Sequence, residues 1–297
     1  MEKQCAIVGI DVGRSNTKMI CNGYSDIFKT CSLLKNNSFE SENSIIIDGK
    51  KYIVGKEGNS LSNDNKADDF VFNTCLLYGL SKLEDISFNI VSGLPITHYM
   101  KYKDDIEAKY TNSIYEIEYM KNYKKNYKII NIENLMIVPE GIFCINDDDG
   151  SDVLVIDIGG FTVDVALYKD YKLINATTYD LGVRKLYGYI TDELNKTYSG
   201  GYDTNDIERY VEKNKIILDN QWQDFDFTMY RASFLEKIIS TIRDDFGWKK
   251  TIKKFIGGGS KVYEDLLNHN GLQVSKSSIY ENAMAFYYKG VDVYGKR

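Results

Sequence analysis

One eight-residue pattern occurs twice in this 297-residue chain. Asp11-Val12-Gly13-Arg14-Ser15-Asn16-Thr17-Lys18 aligns without a gap on Asp157-Ile158-Gly159-Gly160-Phe161-Thr162-Val163-Asp164, at an offset of 146 residues, about half the chain. An apolar run leads into each aspartate (6–10 and 153–156), and a second apolar run follows each pattern (19–21 and 165–168). Short apolar runs around a glycine turn read as buried strands, so each copy is a β-hairpin. Two unrelated Asp-x-Gly turns are the alternative. The matching positions and flanks favour a duplicated domain, and the length leaves room for two cores. The polar, turn-forming stretch 146–151 is the expected link, which places the first half at 1–150.

Between the repeats, strands and helices alternate. The first half reads as strands over 44–48 and 52–54, a helix over 69–82, a strand over 88–92, a helix over 96–109, and strands over 114–120 and 135–138. The second half reads as a strand over 173–178, helices over 183–195, 204–215 and 230–246, a strand over 254–256, and a helix over 262–267. That order predicts α/β layers. Residues 29–66 match no recognisable pattern and are taken as a small inserted subdomain. The basic, Tyr-rich stretch 121–128 reads as a solvated strand or loop.

Composition removes several function classes. Lys and Arg number 37 against 43 Asp and Glu, a net charge of −6, which argues against a main affinity for the nucleic-acid backbone, since that needs clustered Lys and Arg, and any contact with DNA is expected through a partner. No apolar run reaches the roughly 18 residues of a bilayer span. Five cysteines, without C-x-x-C spacing, and the lack of a leader-like segment lead to an expected cytoplasmic location. Only His98 and His269 are present, which excludes a zinc site of the H-E-x-x-H type and leaves little for a Ser-His-Asp apparatus.

The twin turns suit phosphate. Glycine lets the backbone approach closely, and successive N–H groups in a tight turn make an anion-binding concavity. Lys18 adds a cationic donor, while Asp11 and Asp157 are hard carboxylates suited to Mg²⁺, usually through its waters. A third feature, Phe255-Ile256-Gly257-Gly258-Gly259-Ser260, is a strand running into a glycine turn and then a helix, which fits either a flexible turn or close approach of a flat or phosphorylated ligand. Neither G-x-G-x-x-G nor G-x-x-x-x-G-K-[ST] occurs. Pro95 and Pro139 each follow an apolar strand. Glu140, beside the second, fits a helix-dipole partner or a carboxylate delivered into a cleft to orient water, and the spacing leaves both open.

Asp11 to Lys18, Leu154 to Asp164 and Ile256 to Ser260 together resemble the phosphate 1, phosphate 2 and adenosine motifs of the actin, Hsp70 and sugar-kinase ATPase superfamily, in that family's order. Val91-Ser92-Gly93-Leu94-Pro95, Ile137-Val138-Pro139-Glu140-Gly141 and Glu281-Asn282-Ala283-Met284-Ala285-Phe286 resemble the ParM/StbA branch, bacterial actin-like proteins that segregate plasmids. The resemblance implies a duplicated two-lobed actin-like (ribonuclease H-like) fold with a nucleotide cleft, lobe I being 1–150 plus 284–297 and lobe II 151–283. It further implies that Gly13, Arg14, Ser15, Asn16 and Lys18 contact phosphates and that Gly159, Gly160, Phe161 and Thr162 face them. Asp11 and Asp157 would position Mg²⁺ and water, Glu140 would govern the attacking water, and Gly257, Gly258, Gly259 and Ser260 would line the adenosine. The implied function is an ATPase, or GTPase, that forms dynamic filaments and meets plasmid DNA through a DNA-binding adaptor, without membrane or direct nucleic-acid contact. A small-molecule kinase of the same superfamily is the alternative. An Hsp70-type chaperone is disfavoured, as no peptide-binding domain is expected after lobe II.

Overall fold

The computed structural model describes residues 5–35, 41–141, 152–170, 172–198, 200–276 and 279–295. The expected link at 146–151, and Cys144, lie outside them. Two compact units emerge: Met1–Cys144 with Tyr280–Arg297, and Ile145–Ile279. No helix among the described residues is long and apolar enough to cross a membrane.

The first unit opens with the expected hairpin, β1 (Ala6–Val12) and β2 (Asn16–Cys21), which β3 (Tyr24–Lys29) extends antiparallel. Next come β4 (Cys31–Leu34), β5 (Ser44–Ile47), β6 (Lys50–Val54) and the two-residue β7 (Asn59–Ser60), then helix α1 (Phe70–Ser81), β8 (Ser87–Leu94), α2 (Ile96–Tyr110), β9 (Ser113–Lys121) and β10 (Lys124–Pro139). These ten strands form one sheet in the order β3-β2-β1-β8-β10-β9-β5-β6-β4-β7. Residues 29–66 thus contribute strands to the sheet of the first half. β5 and β6 match the strands expected over 44–48 and 52–54, while β4 and the two-residue β7 carry too few residues for an alternating pattern to be legible.

Strand β10 does two jobs. Over Lys124 to Ile132 it pairs antiparallel with β9, and from Asn131 to Pro139 it pairs parallel with β8, with a register shift between Ile132 and Asn134. Its hairpin with β9 turns at Asn122 and Tyr123, both at positive φ, which suits a tight two-residue turn. The stretch 121–127 is largely solvated, as expected. Lys128 is not: it is buried, and its Nζ donates to the carbonyls of Leu80 (2.9 Å) and Leu83 (2.6 Å) near the end of α1. Asp69 caps the other end of α1, accepting from Val71 N at 2.8 Å.

The second unit repeats the plan. Strands β11 (Val153–Ile158), β12 (Val163–Lys169) and β13 (Lys172–Tyr179) run antiparallel in turn, and β16 (Ile252–Ile256) lies parallel to β11, giving the order β13-β12-β11-β16. Between them lie α3 (Val183–Tyr198), α4 (Thr204–Lys213), a hairpin of β14 (Lys215–Leu218) and β15 (Gln221–Asp224), and α5 (Thr228–Asp245). Helix α4 ends earlier than the expected 215, because Asn214 takes a left-handed conformation (φ 49°) that closes the helix. A 3₁₀ turn (Gly258–Tyr263) and α6 (Glu264–His269) follow β16.

The closing helix, α7 (Glu281–Tyr294), packs on β1 and β8 of the first unit. Gly9 permits this: a Cβ there would stand 2.2 Å from Ala283 O and 2.3 Å from Tyr287 N. Any side chain at position 9 would lift the helix off the sheet.

Candidate functional site

The two hairpins share one register. Asp11 faces Lys18 and Val12 faces Thr17, while Asp157 faces Asp164 and Ile158 faces Val163. Both turns are closed by the same bond, from Gly13 N to Asn16 O at 3.2 Å and from Gly159 N to Thr162 O at 2.8 Å. The sequence repeat is therefore a repeat of backbone geometry. What differs is the chemistry placed on it.

In the first unit Asp11 is buried at the end of β1, and Lys18 Nζ lies 2.9 Å from its Oδ2. A carboxylate taken out of water needs a cation, and Lys18 supplies one. Arg14 projects from the turn, and its guanidinium donates to Asp64 Oδ1 at 2.7 Å. Ser15 uses its carbonyl to accept Thr30 N at 2.9 Å, which fastens the turn to the chain leaving β3. Glu140 follows β10. Its N–H donates to Leu94 O at 2.9 Å, so the ends of β8 and β10 are tied together, and the next residue, Gly141, donates to Asn282 Oδ1 at 3.1 Å. Pro95 directly precedes α2. The residues after Gly141 that would decide the helix-dipole alternative for Glu140 lie outside the described ones.

In the second unit Asp157 is buried at the corresponding place, opposite a second buried carboxylate, Asp164. Two hydroxyls donate to Asp164: Thr162 Oγ1 to Oδ2 at 3.1 Å and Thr178 Oγ1 to Oδ1 at 2.5 Å. The carbonyls of Gly159 and Gly160 accept the N–H groups of Val183 and Arg184, so the turn occupies donors at the start of α3. The Arg184 guanidinium lies 4.9 Å from the centre of the Phe161 ring. Gly257, about a hundred residues on in sequence, comes to the same spot. Its φ is 84°, and a Cβ there would fall 2.1 Å from Asp157 Oδ1 and 2.5 Å from Ile158 O. Only glycine combines that conformation with that approach. Gly259 presses likewise on Ile158 and Val183, and Ser260 is wholly buried, its hydroxyl donating to Ile256 O.

Residues 9–142 match the sequence family described as actin like proteins N terminal domain. Among solved structures, an archaeal actin homologue aligns over 97% of this chain and 99% of its own with a TM-score of 0.83 at 18% identity. The ADP complex of that homologue aligns over 98% and 100% with a TM-score of 0.80 at 17% identity. A ParM from Clostridium botulinum, solved as a 15-stranded filament, aligns over 98% and 100% with a TM-score of 0.80 at 21% identity. The fold is actin-like. No curated protein matches the chain.

On this actin-like frame, the predicted residues gather locally within each unit: Asp11 with Lys18 and the 13–16 turn, Asp157 with the 159–162 turn, Gly257 and Gly259. Among the described residues no three or more His, Cys, Asp or Glu converge. Asp11 and Asp157 are each a hard oxygen donor of the kind of which Mg²⁺ commonly takes one or two, filling its octahedron with water and phosphate oxygens. The missing side chain at Gly257 lets the turn after β16 pack directly against the Asp157 carboxylate and the Ile158 carbonyl. Sequence reasoning missed three participants. Asp64 holds Arg14. Arg231 grips Asp265 with two bonds (2.8 and 2.9 Å) and donates to Val262 O at 2.9 Å, bracing the turn after the triple glycine. Lys66 is buried with its Nζ 3.9 Å from Glu140 Oε1. Lysine and arginine are read by default as solvated, so composition and periodicity gave no signal for either basic residue.

Proposed function

We propose that the chain is an actin-like nucleotide-dependent polymerising protein. It binds ATP or GTP with Mg²⁺, assembles with copies of itself, hydrolyses the nucleotide, and loses filament stability as diphosphate accumulates. The observation that carries this reading is the repeated hairpin with a buried aspartate at the same register position in both units, which is how two halves would each offer a turn and a carboxylate to one Mg²⁺-triphosphate. The residues in named roles are Gly13, Arg14, Ser15, Asn16 and Lys18 on one side and Gly159, Gly160, Phe161 and Thr162 on the other for phosphate, Asp11 and Asp157 toward Mg²⁺, Gly257 to Ser260 toward the nucleoside, and Glu140 orienting the attacking water. Assembly follows by linkage: a ligand bound better by one conformation favours it, and if that conformation alone presents complementary surfaces, binding drives polymerisation. A head-to-tail contact that does not close into a ring propagates as a helix. The same fold in a ParM filament and in an archaeal homologue solved with ADP supports the reading. With a net charge of −6, the chain would meet plasmid DNA through a separate basic adaptor.

Light scattering of the pure protein with Mg-ATP and Mg-GTP tests it. A rise that needs both Mg²⁺ and triphosphate and later decays is expected. No rise with either nucleotide, together with phosphorylation of a small molecule, would replace this reading with the kinase.

A further inference from the structure

We infer that Lys66 is a positioning residue for Glu140, holding its carboxylate ionised and aimed. The inference rests on the reading of Glu140 as the group that orients the attacking water. Lys66 and Glu140 side chains are 9% and 12% exposed, so this is a pair of opposite charges largely removed from water. The Lys66 Nζ donates to Gly93 O at 2.9 Å and stands 3.9 Å from Glu140 Oε1. A buried ammonium needs acceptors for its protons and a counter-charge for its field; the carbonyl of Gly93 meets the first need and Glu140 the second.

The framework around the pair is stiff on both sides. Lys66 opens a short 3₁₀ turn, Lys66–Asp68, whose cap Asn65 accepts from Ala67 N at 3.1 Å and donates to Asp105 of α2 at 3.0 Å, while Lys109 of α2 donates to Ala67 O. The lysine backbone is thereby anchored to a helix. The Glu140 backbone is anchored through its own N–H and that of Gly141, as described above. Gly93 makes room for that side chain: a Cβ there would fall 3.0 Å from Glu140 Cγ and 2.2 Å from Phe286 Cζ. A lysine that merely pinned the 3₁₀ turn to β8 would need only the carbonyl. The carboxylate beside it gives Lys66 a second consequence, because an ionised Glu140 can accept a hydrogen bond from water and a protonated one accepts far less well.

The test compares wild type with Lys66→Met, which keeps the length of the stem and removes the charge, and with Lys66→Arg, which keeps the charge. The Glu140 carboxyl carbon, identified by its loss in Glu140→Gln, is titrated by ¹³C NMR, and turnover and nucleotide affinity are measured on the same preparations. In Lys66→Met the Glu140 titration should move to higher pH, kcat should fall by at least about tenfold with affinity nearly unchanged, and the acid limb of the pH–rate profile should move up with it. Lys66→Arg should restore the wild-type titration and most of the turnover. A folded Lys66→Met protein with wild-type Glu140 titration, or an altered titration with unchanged kcat, would overturn the inference. If the wild type itself hydrolyses neither ATP nor GTP, the function proposed above fails. The NMR titration then decides separately whether Lys66 sets the state of Glu140, and should Lys66→Met not fold, Lys66→Gln replaces it, a titration moved to higher pH supporting the pair and a wild-type one overturning it.

Discussion

The β1–β2 hairpin and the β11–β12 hairpin are superimposable in register yet opposite in charge logic: across from its aspartate the first places Lys18, the second Asp164. The first unit neutralises its buried carboxylate from within. The second sets two buried carboxylates, Asp157 and Asp164, in register and satisfies Asp164 with two hydroxyl donors. Duplication thus preserved the device that shapes the turn, while the residue that decides the local field diverged. In the terms of the proposed function, the first hairpin brings the cation toward phosphate, and the second brings the carboxylate that a metal ion would compensate.

The largest expected effect separates the two aspartates. Asp11→Ala removes the buried carboxylate that Lys18 contacts and should cost about 3 kcal/mol of stability in addition to abolishing hydrolysis, as breaking a buried pair from one side typically does. Asp157→Ala should remove hydrolysis, a loss of at least about a hundredfold, and weaken Mg-nucleotide binding. Denaturant unfolding and phosphate release on both variants read this out. Wild-type turnover in Asp157→Ala would break the metal assignment, and equal stability losses would break the contrast.

Next in size is the water-orienting role. Glu140→Ala should keep nucleotide affinity and lose hydrolysis by about 10²-fold or more. A helix-dipole role predicts instead a loss of about 0.3–1 kcal/mol in stability with turnover intact.

The glycines give a smaller contrast. Gly257→Ala must hold an L side chain at φ 84° with its Cβ against Asp157 Oδ1, at a cost of about 1–3 kcal/mol, and should weaken nucleotide binding. Gly13→Ala has no positive φ to adopt and meets Asn16 O at 3.1 Å and, at ordinary contact distance, Asp11 Oδ1 at 3.6 Å, so it should cost less than about 1 kcal/mol. Thermal melts of the pair, with and without nucleotide, check the order.

A contrast in pH dependence belongs to Lys128 in the first unit. Burial pushes its ammonium down to about 8, despite the two carbonyls it contacts. Below that pH both folded and unfolded chains carry the proton. Between about 8 and the ordinary lysine value near 10.5 the unfolded chain binds more protons, so this residue makes stability rise with pH. Buried tyrosines such as Tyr78, pushed up to about 12, act in the opposite sense from about pH 10. The difference in stability between wild type and Lys128→Met from pH 7 to 9.5 isolates the lysine, and a pH-independent difference would contradict it.

How much of this was legible in the sequence follows the same physics. Both hairpins, the strands flanking them and helices such as α1 and α3 could be read because apolar periodicity and a repeated glycine turn fix them. Strands β5 and β6 were also legible, over 44–48 and 52–54, whereas hairpin β14–β15 was not, since Gln221-Trp222-Gln223-Asp224 is polar and four residues long, nor were the short β4 and β7. Asp11, Asp157 and the glycine turns were legible because they repeat. Lys66, Lys128 and Arg231 were not, because only tertiary structure reveals that a basic side chain is buried or what it grips.

The most direct test of the central account is a time course of pelleting and electron microscopy over a range of protein concentrations, with Mg-ATP and Mg-GTP, for wild type and Glu140→Ala side by side. The expected result is filaments that need Mg²⁺ and triphosphate, decay in the wild type as diphosphate accumulates, and persist in Glu140→Ala. Protein that stays monomeric with both nucleotides, or filaments that decay at the same rate in both proteins, would contradict it.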